Sequence, residues 1–475
     1  MKIKFFLLSM IFFLTSCSVK NEKLILATEA GFAPYEYYEN GEIVGVDIDI
    51  AREIAKELNM ELEIKDVAFD SIINEVKSGK SDIGAAGISF TEERSKEVDF
   101  TNYYMTSKQV LVVKKDSLIK SPSDLVNVRV AVQLGTVADD YLTTNYHNIS
   151  LVREKKFLAA IEDLQDNKVD VVVMDEIPAK ELINDRLIIL DEPLVTDYYG
   201  MIVQKGNSGL LQKANEVIDN LRESGRIDEI LLEHMGVRDK NNTITESNSL
   251  YDKFYYSVIY DGRYKYILEG LANTLLMALG AVMIGIIIGT SLAIFRNIHD
   301  STGKIKLLNI LAKTYITIIR GTPSILQLMI IYYVIFKTTN ISIVLVGIIA
   351  FGINSGAYVA EIVRAGINSV SRGQKEAGYA LGLSYHQVMR HIVIPSAIKN
   401  ILPTLGNEFI TLVKETAVGA YIGIIELTKA SDIIASRTYD YFFPLIIIAL
   451  IYLSITLLLT KLFSALERRM NHVRN

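Results

Sequence analysis

Two regimes of hydrophobic patterning divide the chain of 475 residues. In the first, short apolar runs alternate with amphipathic ones. Residues 23–28 (KLILAT) predict a buried strand, and residues 47–58 place Ile48, Ala51, Ile54, Ala55 and Leu58 at helical spacing. Residues 62–67 alternate as a strand, 69–76 are helical again, and 83–88 are apolar with small residues. The cycle then repeats, with strands expected at 128–132 and 169–174 (VDVVVM) and helices beginning at 136 and 157. Such alternation predicts parallel sheets flanked by helices, with ligands held at loops beyond the carboxyl ends of strands.

In the second regime, long apolar stretches follow one another at 267–295, 309–336, 341–363, 397–425 and 443–463. They predict an all-α membrane domain over residues 256–475 with about five transmembrane helices. Glycines and polar residues in the third and fourth stretches suit the interior of a bundle. Six tyrosines and a phenylalanine within residues 251–266 suit a membrane–water interface ahead of the first span. Polar residues without periodicity at 238–252 predict an exposed linker, taken as 237–255. At the other end, Met1-Lys-Ile-Lys precedes a ten-residue apolar run broken only by Ser9. The run is too short to span a bilayer and has the shape of a secretory signal.

Charge sharpens the division. The formal net charge is −6, but residues 21–240 hold 25 basic and 42 acidic side chains, whereas residues 241–475 hold 21 basic and 13 acidic. An acidic, soluble half joined to a basic, apolar one argues against a cytosolic enzyme and against nucleic acid as the main partner. Cys17 alone excludes a disulfide framework, and six scattered histidines exclude a histidine-rich metal site. Gly79-Lys80-Ser81 imitates the end of a phosphate loop, but Asn74 stands where that loop requires glycine, and no complete nucleotide motif occurs.

Leu14-Thr15-Ser16-Cys17 resembles a bacterial lipobox, which implies a signal segment at 1–17 and lipidation of Cys17 outside the cytoplasm. The first half resembles the extracytoplasmic solute-binding proteins (family 3) of polar amino-acid ABC importers. The resemblance rests on Gly41-Glu-Ile-Val-Gly-Val-Asp-Ile-Asp49, Asp82-Ile-Gly-Ala-Ala-Gly-Ile-Ser-Phe-Thr-Glu-Glu-Arg94, Asp99-Phe-Thr-Asn-Tyr-Tyr104, Val130-Ala-Val-Gln-Leu-Gly-Thr136 and Val169-Asp-Val-Val-Val-Met-Asp175, in family order. It implies an α/β two-lobed fold of the periplasmic-binding-protein type II class over 21–236. Lobe one is expected at 21–112 and 199–236, and lobe two at 113–198.

The same resemblance assigns a ligand site. Arg94 would grip an α-carboxylate, since a guanidinium fork bonds both oxygens, with Gly87, Ser89, Thr91 and Thr136 around it. Asp175 would take the α-ammonium. Two plainer readings stand beside these: Arg94 paired with Asp99, and Asp175 capping the helix that follows. Phe32 falls where the family stacks an aromatic ring on the ligand side chain, and Glu29 where an acid meets its tip. Glu29 favours arginine, lysine, ornithine or histidine by charge, with glutamine as a further fit.

The second half resembles the permease subunit (His/Gln/Arg type) of the same importers. Arg320-Gly-Thr-Pro323 matches one motif. Glu376-Ala377-Gly378-Tyr-Ala-Leu-Gly382, followed by Ile392-Val-Ile394-Pro395, matches the cytoplasmic loop that seats in the ATPase, with Gly378 replacing the usual alanine. The implied complex is a homodimer through the permease, with two cytoplasmic ATPase subunits that bind ATP and Mg. The chain itself would carry no cofactor, metal or catalytic residue. Arg296, Lys304, Lys306, Arg364, Arg372, Lys375, Arg390, Arg468 and Arg469 fall on one side of a five-span topology. That bias sets the C-terminus inside and the binding domain outside, although Lys429 and Arg437 weaken the contrast. A ligand-gated receptor or channel built on the same binding domain is the rival reading.

Overall fold

The computed structural model describes residues 23–39, 41–236, 250–337, 341–438 and 440–472. Cys17, the signal segment and most of the expected linker lie outside them. The N-terminal half is an α/β unit with two main sheets. One has the strand order Glu61–Asp66, Lys23–Thr28, Ile83–Gly84, Ile202–Gln204, Val98–Phe100. The other runs Leu187–Ile189, Met105–Lys114, Val171–Asp175, Arg129–Gln133, Ser150–Glu154, and Val195–Tyr199 also pairs with Met105–Lys114.

The first sheet thus takes residues from both ends of the unit and the second from its middle. Met105–Lys114 and Val195–Tyr199 run antiparallel between the two bodies, with Gln109 opposite Val195 and Ser107 opposite Asp197. Within the apolar segment 83–88, Ile83 and Gly84 pair with Leu26 and Ala27. Gly87 then turns the chain with φ +54°, a left-handed conformation that favours glycine.

The C-terminal half is all α. Three helices are long and apolar enough to cross a membrane, Tyr264–Thr302, Ile343–Asn368 and Phe442–Arg469. A fourth span follows if the pair Lys306–Arg320 and Ser324–Ile335 counts as one. The five-span expectation changes at two places. The second stretch is bent by 108° at Arg320–Pro323, because Pro323 has no N–H and excludes Thr322 from helical backbone. Gln327 Nε2 steadies the corner, donating to the carbonyls of Ile319 at 2.7 Å and Thr322 at 3.1 Å. The fourth stretch is a 22-residue helix, Ile394–Glu415, about 33 Å long at 1.5 Å per residue. Lys399, Glu408, Lys414 and Glu415 make it amphipathic, so apolarity alone does not mark it as a span.

Small residues let the central helices approach. A Cβ on Gly289 would stand 2.6 Å from Cβ of Val359, on the facing helix, the close backbone packing that membrane bundles obtain from glycine.

The binding half rests on the membrane half. Lys429 Nζ lies 2.9 Å from an Asp66 carboxylate oxygen, with both side chains about 5% exposed. Tyr332 donates its hydroxyl to Glu75 at 3.2 Å, and the Tyr441 N–H donates to Glu162 at 2.8 Å. Ala30 and Tyr38 share an apolar cluster with Tyr266, Ala430 and Ile433. Burial works against the Asp66 charge, but Lys429 and Lys156 outweigh it and hold its carboxyl below the usual range.

Lys429→Ala strands that carboxylate, and breaking such a pair costs about 3–5 kcal/mol. Amide hydrogen exchange over 427–438 should therefore rise in the variant at neutral pH. A depressed carboxylate stabilises above its unfolded pKa and stops doing so as pH falls through its folded value. The wild type should lose the same protection only below about pH 4. Unchanged exchange in the variant would show that docking does not depend on this pair.

Candidate ligand-binding site

The site forms where loops leaving the two sheets meet. Thr91 caps the helix Glu92–Glu97, its hydroxyl accepting from the Arg94 N–H at 3.1 Å. That turn carries Arg94 inward, where it is 7% exposed. Its Nη1 donates to the Ser89 carbonyl at 2.7 Å and Nη2 to the Gly135 carbonyl at 2.8 Å. Ser89 follows the first sheet and Gly135 the second, so one guanidinium ties the two bodies together. Burial lowers its pKa, and the carboxylates of Asp140, Asp197 and Asp175 oppose that shift. Asp99 pairs instead with Lys205 at 2.9 Å.

Asp175 ends the strand Val171–Asp175 and makes no side-chain cap on the helix after it. Its carboxylate accepts from Ser107 at 2.7 Å, from Gln109 at 2.6 Å and from the Tyr199 hydroxyl. All three donors stand on the strands that link the bodies. Burial foremost, and Asp197 beside it, push its pKa up to about 7.

Glu29, Phe32, Gly87, Ser89, Arg94, Thr136 and Asp175 line one narrow cavity of about 10 Å³. Thr91 does not; it borders the neighbouring groove with Asp70 and Asp140. The hydroxyls beside Arg94 are engaged within the protein: Ser89 donates to Asp197, and Thr136 donates to the Gln133 carbonyl at 2.8 Å. The Gly87 N–H donates to Asp47 at 2.9 Å. A Cβ on Gly87 would come 2.7 Å from the Phe32 ring. Phe32 stacks on Phe157, centroids 5.6 Å apart.

Sequence reasoning missed Glu36, Phe69, Gln109, Gln133 and Phe157, which line the same cavity. It also missed Lys156, whose ammonium lies 2.9 Å from Glu29 with both side chains mostly buried. One signal was present: Lys156 occupies the cap of the helix Phe157–Gln165 and supplies no capping bond, where Ser, Thr, Asp or Asn is favoured. Among the described residues, no group of His, Cys, Asp or Glu is arranged to hold a metal ion.

At the far end of the membrane half, the helices Arg372–Ala380 and Tyr385–Val388 form a hairpin. Gly382 turns it with φ +80°. Gly378 lets the two helices close, since a Cβ there would meet Ile392 at 2.7 Å. Glu376 and Ala377 face outward, Leu381 is 80% exposed, and Ile394 and Pro395 open the next helix.

Comparison with known proteins gives two matching families. The bacterial extracellular solute-binding proteins, family 3, match residues 24–237. The binding-protein-dependent transport system inner membrane component matches residues 281–472. The arginine transport system permease protein ArtQ of Bacillus subtilis is 39% identical over 207 residues, 43% of this chain and 92% of that protein. A Rickettsia typhi protein named for a glutamine transport system permease, GlnP, is 38% identical over 220 residues, 46% of this chain and 96% of its own length. A Streptococcus pneumoniae amino-acid ABC transporter substrate-binding protein, solved with L-arginine, is 36% identical over 44% of this chain and 93% of its own, with a TM-score of 0.43. The chain belongs to the binding-protein-dependent ABC importers, and it joins a family 3 solute-binding domain to a permease component in one polypeptide.

Proposed function

We propose that the chain is both receptor and translocation subunit for ATP-driven uptake of a polar, cationic amino acid. The observation that carries the reading is the pairing of Arg94 and Asp175 across one buried cavity. The guanidinium would take the ligand α-carboxylate, and the carboxylate its α-ammonium. The first N–H groups of the helix Val137–Asn145 favour the same carboxylate. Relatives named for arginine and glutamine transport agree with a polar amino acid, and the arginine one with a cationic side chain.

Its domains would be a binding domain over 21–236 with lobes at 21–112 plus 199–236 and 113–198, a linker at 237–255, and a permease over 256–475. Counting Ile394–Glu415 and the bent pair as spans restores five crossings. The basic bias then orients the binding domain outside and the C-terminus inside. The hairpin around Glu376, Ala377, Gly378 and Gly382 offers an exposed surface for a cytoplasmic ATPase, two of which would serve a permease homodimer. ATP and Mg would be bound by that partner. Lipidation of Cys17 would anchor the other end.

Three outcomes test this reading on the full chain. Arg94→Ala leaves a ligand carboxylate without its counter-charge and should weaken amino-acid binding by about a hundredfold or more in calorimetry. Ligand ammonium favours ionised Asp175, so affinity should fall as pH drops below about 7. Asp175→Asn should weaken binding and flatten that profile, whereas a profile that survives the substitution would assign the titration elsewhere. Finally, Gly382→Val forces a β-branched residue into a left-handed turn. It should cut ligand-stimulated ATP hydrolysis by about tenfold while leaving binding unchanged. Full stimulation would remove the hairpin from the coupling role.

A further inference from the structure

The stretch that leads into the first membrane helix carries an exposed apolar stripe and hides a surplus of positive charge. Residues Leu250–Phe254 are helical, and the turns continue through Tyr255–Ile259 with wider hydrogen bonding. Leu250, Tyr251, Phe254, Tyr255 and Ile259 are 44–75% exposed, whereas Tyr256 and Ser257 face inward and are buried. Apolar groups set that way on a short helix just ahead of a span fit the interfacial layer of a bilayer, where rings with a polar edge settle at headgroup depth.

Behind the stripe stand two arginines, Arg263 and Arg437, 2% and 8% exposed. Arg263 directly precedes the helix Tyr264–Thr302, and Arg437 lies shortly before Phe442–Arg469. The ion pair of Arg437 with Asp261 sets both at one end of the bundle. Arg263 donates Nη1 to the Tyr256 carbonyl and packs on the rings of Tyr256 and Tyr260, 5.0 and 5.4 Å from their centroids. Its Nε is buried without a hydrogen-bond partner, and so is Nη1 of Arg437. Among the described residues, no Asp or Glu forms an ion pair with Arg263. Burial foremost, and Arg437 beside it, lower its pKa to about 10, which leaves it charged at neutral pH.

Two guanidiniums, each with an unpartnered N–H, thus depend on one carboxylate. Asp261 is itself exposed, so the pair lies one side chain beneath the surface. A buried cation without a counter-charge is costly. The group that would relieve it is an anion with several acceptor oxygens, and a phosphate accepts from guanidinium forks through two oxygens at once. A soluble anion would match the charge alone. The exposed stripe beside the arginines matches acyl chains as well.

We propose that Arg263 and Arg437 hold the phosphate of an anionic phospholipid, whose chains run beside the apolar face of residues 250–259. Arg437 belongs to the helix Leu427–Thr438, which also carries Lys429, the partner of Asp66. The lipid would therefore brace the element on which the binding half rests, whichever ligand the cavity takes.

The test is native mass spectrometry of the full chain in detergent, titrated with phosphatidylglycerol or with phosphatidylcholine of the same acyl chains. The wild type should retain phosphatidylglycerol at least about fivefold better, because the choline head returns a positive charge to the site. Arg437→Gln should erase that preference, with an unaltered circular dichroism spectrum as the check on folding. If that variant does not fold, a photoactivatable phosphatidylglycerol on the wild-type chain decides: its crosslinks should map to 250–266 or 430–438. Equal retention of the two lipids, a preference kept in Arg437→Gln, or crosslinks confined to other segments would overturn the proposal. So would displacement of phosphatidylglycerol by equimolar inorganic phosphate, which would make the site one for soluble anions.

Discussion

The binding half is organised around a buried guanidinium. Arg94 carries a full charge into a site where water is excluded, and it is held by two carbonyl dipoles with no direct ion pair among the described residues. Two neutral acceptors position such a charge but do not neutralise it. The surrounding structure is arranged to tolerate that imbalance. Thr91 supplies the cap that starts the short helix inward, Gly87 allows the loop to pass under Phe32, and Phe69 offers its ring face 5.8 Å from the guanidinium. The ligand carboxylate proposed above would complete the set and, because the two carbonyls come from different bodies, would also favour the closed arrangement of both.

The acidic wall is the counterpart of that charge. Glu29, Glu36, Asp47, Asp175 and Asp197 are gathered around or beside the cavity, and each titrates above its usual range because burial outweighs the donors it has. Lys156 offsets part of that acidity. It neutralises Glu29, and burial there is outweighed by Glu29, Tyr441, Asp66 and Asp432 in keeping it charged. Since Tyr441 and Asp432 belong to the membrane half, the charge balance at the cavity edge is shared with the permease.

Much of this was legible in the chain itself. Alternating β and α patterns gave the two sheets because the central strands are buried on both faces and the helices on one. Arg94 and Asp175 were legible through the resemblance carried by the motifs Asp82–Arg94 and Val169–Asp175. Glu36 was not, since a glutamate in an aromatic turn reads as an exposed tip until the fold buries it completely. Lys156 escaped for a similar reason: its meaning lies in Glu29, more than a hundred residues away. In the membrane half, Pro323 announced a break, but the size of the bend depends on how Gln327 and Asn354 fill the corner, joined at 2.9 Å. The helix Ile394–Glu415 shows the opposite limit. Its charges lower its apolarity, yet Glu408 finds Ser355 at 2.8 Å inside the bundle, a pairing no hydropathy profile contains.

Fusion of the two halves changes what the docking surface must do. A freely diffusing receptor must meet its permease from solution and pay the full loss of translational freedom. A tethered one faces an effective concentration of order mM for a short flexible link. The contacts are largely polar: the buried pair of Lys429 and Asp66, the Tyr332–Glu75, Tyr441–Glu162, Lys80–Phe336 and Lys155–Tyr421 hydrogen bonds, and one small apolar cluster. A buried ion pair is a poor source of net affinity but a strict test of register, because misplacing either partner leaves a bare charge. Such an interface holds one orientation without holding it tightly. That combination suits a receptor that must keep its cleft aimed at the same permease face through each cycle and still be able to open.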